Sequence, residues 1–172
     1  MLKILGSTLI ILSGTCMGIK ASDNLFLQNE GLKKLKKMII ILRGEIKYNH
    51  TYISQAFENV SEKISQPYNS FLLHVSEKLN ENSGKSFNMI WKESVREKLE
   101  NHFLDEKHLK KIEDLGETLG FLDKEMQLAA FDLFTEQLDM DIEENNQKLK
   151  DNSRLYKYLG IMGGILVVLI IV

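Results

Sequence analysis

Hydrophobic positions fall along this chain in two ways. At both ends they run unbroken; between the ends they return every three or four residues. The unbroken runs are Ile4 to Ile19, ILGSTLIILSGTCMGI, and Tyr158 to Val172, YLGIMGGILVVLIIV. Neither carries a charge, whereas every acidic residue, and every basic one except Lys3, lies between Lys20 and Lys157. As helices of about sixteen and about fifteen residues the runs extend roughly 24 and 22 Å. That is somewhat short of a ~30 Å hydrocarbon core, a gap that snorkelling lysines and local bilayer thinning can close. Both are therefore expected to be membrane helices, with Tyr156 and Tyr158 at the interface.

For the first run the competing reading is a cleaved signal peptide. No small-x-small cleavage site follows Ile19, and Thr15 before Cys16 makes a poor lipobox. For the second, a buried core helix is the rival, and the absence of a polar face speaks against it. Basic residues flank the inner ends of both runs: Lys20, Lys33, Lys34, Lys36 and Lys37 after the first, Lys148, Lys150, Arg154 and Lys157 before the second. That asymmetry puts the middle in the cytoplasm and both termini on the far side. Gly14 and Gly18, and Gly160 and Gly164, form small-xxx-small pairs at which membrane helices can pack closely.

The periodic middle predicts helices throughout. Leu32, Leu35, Met38, Ile39, Leu42 and Ile46 describe one face; Lys33, Lys34, Lys36 and Lys37 fill the other. The lysine face is either solvated or presented to an acidic partner or lipid headgroups. A second helix carries Ala56, Phe57, Val60 and Ile64. Pro67 interrupts and can open a third, with Tyr68, Phe71, Leu72, Val75 and Leu79. A loop with a possible cap at Gly84 leads to Ser86, which can cap a fourth helix carrying Phe87, Ile90, Trp91, Val95 and Leu99. Trp91 in that row is expected in the core.

A fifth helix holds Leu109, Ile112, Leu115 and Leu119. It ends in LGETLGFLDKEMQ, a corner at which Gly120 can adopt the left-handed conformation and Asp123 can cap the next helix. That last helix is expected to bury Met126, Ala130, Leu133, Phe134 and Leu138. From Asp139 to Arg154 it is polar all round, which predicts a helical stalk, with a charged flexible linker as the rival. The fold class is thus all-α: an antiparallel bundle of about six helices flanked by N- and C-terminal transmembrane helices. The expected organisation is a span over 1–20, a cytoplasmic bundle over 25–140, a stalk over 141–157 and a span over 158–172.

Composition changes this picture little. At 172 residues there is room for one domain, and the scarcity of proline, with Pro67 alone, suits long helices. A net charge of −2 gives no sign of a nucleic-acid partner. The single cysteine cannot form an internal disulfide.

The search for chemistry yields no catalytic set. His50, His74, His102 and His108 show no zinc-ligand spacing, and no phosphate loop or nucleophile motif occurs. Glu113, Asp114 and Glu117 cluster near the corner, where solvation or capping is the default and a metal or acid–base role the alternative. Asn49-His50-Thr51 and Asn59-Val60-Ser61 match glycosylation sequons that a cytoplasmic domain would not use. The expectation is a non-enzyme without cofactor, metal or small-molecule substrate, acting through surfaces.

Three stretches, MLKILGSTLIILSGTCMG, LGETLGFLDKEMQ and YKYLGIMGGILVVLIIV, carry a resemblance to the stage III sporulation protein AB family of endospore-forming bacteria. GEIKYNHTYISQAF fits the family's E-I-x-Y segment through Glu45, Ile46 and Tyr48, and departs at Tyr52, where the family tends to have proline. The resemblance covers essentially the whole chain. It implies a part in a multiprotein channel joining mother cell and forespore, needed at the engulfment stage, and a location in the mother-cell membrane around the forespore. It further implies a soluble domain similar to the F-type platform domains of type II secretion and type IV pilus systems. By that analogy the domain would dock the complex's cytoplasmic secretion-type ATPase and meet its other membrane components. Candidate contact residues are Gly116, Gly120, Asp123 and Gln127 at the corner, then Lys33, Lys34, Lys36 and Lys37; capping alone would also explain the corner. A small oligomeric pore is the alternative function, with Ser7, Thr8, Ser13 and Thr15 as the polar residues available to line it.

Overall fold

The computed structural model describes the backbone of residues 2–48, 52–81, 84–100, 102–120 and 123–171, with side chains from 23 to 151 within those ranges. Six helices are described: α1 (Leu2–Tyr48), α2 (Ile53–Ser61), α3 (Tyr68–Asn80), α4 (Phe87–Leu99), α5 (Glu106–Leu119) and α6 (Lys124–Ile171). No strand occurs among the described residues. The all-helical expectation therefore holds. The two apolar ends are not separate elements: one continues into the first predicted bundle helix within α1, the other follows the polar stretch within α6. Their side chains, and with them the packing at the Gly14/Gly18 and Gly160/Gly164 pairs, lie outside the described residues. Among the described residues no helix is long and apolar enough to cross a membrane.

The chain divides into two compact units, one of residues 30–142 and one of residues 1–29 with 143–172. In the first, α2 packs on α3, α3 on α4 and α4 on α5. The predicted faces of α1 to α3 are buried: Leu32, Leu35, Met38, Ile39 and Leu42 of α1, Phe57 and Val60 of α2, Phe71, Leu72 and Val75 of α3. On α6 the expected face is buried only in part: Phe134 and Leu138 are covered, whereas Met126 and Leu133 are exposed, because no neighbouring helix lies over them. Aromatic rings meet at the centre. Trp91 lies edge-on to Phe71 with centroids 4.9 Å apart, and stacks 5.7 Å from Phe87. Its indole N–H donates to the Ile112 carbonyl at 2.7 Å, which ties α4 to α5 and leaves no buried polar atom on the ring unpaired. The buried Tyr68 hydroxyl likewise donates to the Gly31 carbonyl at 2.9 Å, and burial pushes this phenol's pKa up.

Helix boundaries follow local chemistry. Ser86 accepts from the Met89 N–H, Asp105 from that of His108 at 2.9 Å, and Asp123 from that of Met126 at 2.9 Å. Gly84 has φ +73°, but it is not the cap that its place in the loop allowed: α3 ends at Asn80 with Glu81 as C-cap, and Gly84 makes a left-handed turn in the loop before Ser86.

In the other unit, α1 and α6 meet through amides. Asn29 donates to Asn146 at 2.8 Å, and Asn145 donates to Gln28 at 3.2 Å; Asn29 and Asn145 are buried. The polar stretch after Asp139 was expected to find no local partner. Here Asn145 and Asn146 are partnered by α1, because side-chain amides satisfy one another across a helix pair.

Candidate functional site

The corner between α5 and α6 is where the sequence places four of its eight candidate contact residues, and each has a structural assignment there. Gly116 is buried beneath Trp91; a Cβ built at this position would fall 2.5 Å from the indole Cγ and 2.8 Å from Nε1. Only glycine lets α5 lie this close to the ring. Gly120 ends α5 with φ −73° and ψ −19°, and its N–H donates to the Gly116 carbonyl at 3.2 Å. This corrects the expected left-handed cap. What glycine provides here is room: a Cβ would sit 3.2 Å from Phe87 Cδ1.

Asp123 caps α6 with its side chain and accepts from the Gln127 N–H through its carbonyl at 2.9 Å. Gln127 then reaches back, its amide donating to the Leu119 carbonyl at 3.0 Å. That carbonyl belongs to the last turn of α5, whose acceptors have no partner within the helix. One glutamine thus joins the end of α5 to the start of α6. Gly116, Gly120, Asp123 and Gln127 are brought together, and all four serve the corner's own geometry.

The four lysines of α1 behave differently. Lys33 pairs with Glu30 at 2.8 Å and Lys36 with Asp139 at 2.5 Å. Lys34 and Lys37 line a shallow groove of about 280 Å³ with Lys63, Ser65 and Tyr68. Together with the Arg43–Asp132 pair at 2.6 Å, Lys36–Asp139 holds α1 to α6.

The acidic residues near the corner do not converge on a common point. Glu113 pairs with Arg96 and Glu117 with Lys92, while Asp114 is exposed. Arg96 also takes Glu106 at 2.6 Å, so α4 and α5 are bracketed by one guanidinium. These contacts hold Glu106 and Glu117 below the usual carboxylate range, through the hydrogen bonds from Arg96 and Lys92. No three potential metal ligands converge among the described residues.

A second polar cluster escaped the sequence reading. Asp141, nearly buried, receives Lys107 at 3.2 Å and Lys111, and its Oδ2 lies 3.7 Å from Nε2 of the buried His108. On its other side His108 places Nδ1 2.5 Å from Asp105 Oδ1. Burial works to raise the Asp141 pKa, but the two lysine hydrogen bonds prevail and hold it below the ordinary aspartate value. Residues thirty or more positions from Asp141 meet it here, and no local spacing signals that.

An all-α domain whose ionic and capping groups fasten helix to helix is, as a class, a helical-bundle module. The stage III sporulation protein AB family matches residues 3–172, and the chain belongs to that family. It is 25% identical over 171 residues to stage III sporulation protein AB of Bacillus subtilis strain 168, covering 99% of each chain. A solved structure of a stage III sporulation protein AB superposes with a TM-score of 0.65 at 22% identity, covering 72% of this chain and 97% of that one. At that identity the superposition speaks for the fold.

Proposed function

We propose that this protein is a non-enzymatic, membrane-anchored scaffold of the sporulation channel complex between mother cell and forespore. In this reading residues 1–20 and 158–172 are the anchors, 141–157 is a helical stalk, and the bundle over 25–140 faces the cytoplasm and docks the complex's secretion-type ATPase. The observation that carries it is the family match from residue 3 to residue 172, which takes in both apolar ends together with the charged middle.

Co-purification of the ATPase with the full-length chain tests the docking. Asp123→Lys and the double variant Lys34→Glu/Lys37→Glu are expected to lose the ATPase while keeping wild-type helicity by circular dichroism. Asp123→Ser, which keeps a capping oxygen, separates loss of the carboxylate from loss of the cap. Undiminished recovery with both charge variants would end the docking reading. Topology is tested in a Cys16→Ser background with single cysteines near each terminus and at Lys85. The termini should label from outside intact cells, and Lys85→Cys only after permeabilisation; the reverse pattern would remove the cytoplasmic placement.

A further inference from the structure

α6 carries two apolar stripes, and the bundle buries only one. Phe131, Phe134 and Leu138 face the core, whereas Met126 is 53% exposed, Leu133 58% and Met140 65%. The exposed three recur every seven residues, so along a helix they fall on nearly one line. Ala130 and Gln137 fill the intervening positions in the three–four spacing of a helix-packing seam. Over Met126 to Met140 the stripe is about 21 Å long at ~1.5 Å per residue.

The stripe's first two members do not stand on a convex surface. Leu115 and Thr118 of α5 lie beside Met126 and Leu133, and the two helices enclose an open groove of about 580 Å³ that ends before Met140. Two large apolar side chains, Met126 and Leu133, left facing water in a groove are unusual for a surface with no partner.

Charge identifies what fits. Asp114 stands on the α5 wall, and Glu125 and Glu136 are exposed on the other edge of the stripe. The basic side chain at the groove, Lys111, is held by Asp141. The rim is therefore acidic.

From this we infer that the α5–α6 groove docks an amphipathic helix of a partner protein, apolar on one face and bearing lysine or arginine along its edge. Helix-in-groove recognition reads anchors at this spacing, and opposite charge at the rim sets orientation and selectivity. A second copy of this chain suits the groove poorly, since its own stripe is edged by the same carboxylates. The inference holds whichever protein supplies the helix, and it draws neither on the contact candidates Gly116, Gly120, Asp123 and Gln127 nor on the membrane topology.

The test uses the full-length chain in phosphatidylcholine nanodiscs and a fluorescent eighteen-residue helical peptide with leucines at three–four spacing and lysines along both edges. Anisotropy should show saturable binding at one peptide per chain and none beyond background to empty nanodiscs. Replacing the peptide's leucines by serine, or the chain's Met126→Ser/Leu133→Ser, should weaken binding at least tenfold. Both chain positions are exposed, so the fold is retained. Glu125→Lys/Glu136→Lys should weaken the lysine peptide and transfer preference to a glutamate-edged one. Equal binding of both peptides to the wild type, or unchanged affinity after Met126→Ser/Leu133→Ser, would overturn the proposal. So would equal binding to empty nanodiscs, which would make the lipid surface the ligand. Sedimentation showing a wild-type dimer that Leu133→Ser dissociates would assign the groove to a second copy and overturn it as well.

Discussion

Trp91 and Gly116 are in direct apposition: the indole of α4 covers the one position of α5 where a side chain would collide with it. The ring also donates to the Ile112 carbonyl, one turn before Gly116 on the same helix. The α4–α5 contact is therefore set by an aromatic plate, a missing side chain and one hydrogen bond.

Gly116→Ala is expected to destabilise the protein by about 1–3 kcal/mol, because the indole is enclosed by Phe57, Phe71 and Phe87 and has nowhere to move. Gly44→Ala is the matched control. Nothing lies within 4 Å of a Cβ there, and helix propensity favours alanine by roughly 1 kcal/mol. Urea midpoints of the two variants should move in opposite directions.

At the corner, Gln127→Ala removes the donor to the Leu119 carbonyl and should cost about 0.5–1.5 kcal/mol. Asp123→Ala removes the α6 cap at about 1 kcal/mol, and Asp123→Ser should restore most of it. The two sites share one turn, so the double variant Asp123→Ala/Gln127→Ala should depart from the sum of the singles in denaturant unfolding.

Asp141 makes stability depend on acid. Its folded-state pKa lies below that of the unfolded chain, so its contribution is complete above about pH 4, the unfolded aspartate range. It is lost as pH falls through the lower folded value, because protonation then removes the carboxylate that Lys107 and Lys111 hold. Asp141→Asn should lower the melting temperature at pH 7 and flatten the acid limb between pH 5 and 2. An acid limb as steep as wild type would show that other carboxylates carry it.

Tyr68→Phe removes one buried hydroxyl and its bond to the Gly31 carbonyl. The ring stays, so the expected loss is about 0.5–1.5 kcal/mol, read from the denaturant midpoint with unchanged slope.

Much of the bundle was legible in the order of residues alone. Three- and four-residue apolar steps mark α2 to α5 because a helix brings those positions to one face. Ser86 and Asp123 announce their boundaries because capping is decided by a residue's own side chain. Trp91 reads as core for the same local reason. Gly120 was misread. Its glycine signals a left-handed turn as readily as a close approach, and only the nearness of Phe87 shows which operates.

What the sequence determined by itself is the helical nature of the chain, its segregation into charged middle and apolar ends, and the family those stretches resemble. What tertiary structure alone decided is which side chains are used. Met126 and Leu133 are spaced for burial as well as Phe131, Phe134 and Leu138 are, yet the neighbouring helices cover only the second set. Likewise Asn29 finds Asn146, and His108 finds Asp141, across separations that no local pattern spans. Periodicity is a property of one helix, and it states which residues share a face. Burial and pairing are properties of two, and they are settled only when a second helix lies against the first.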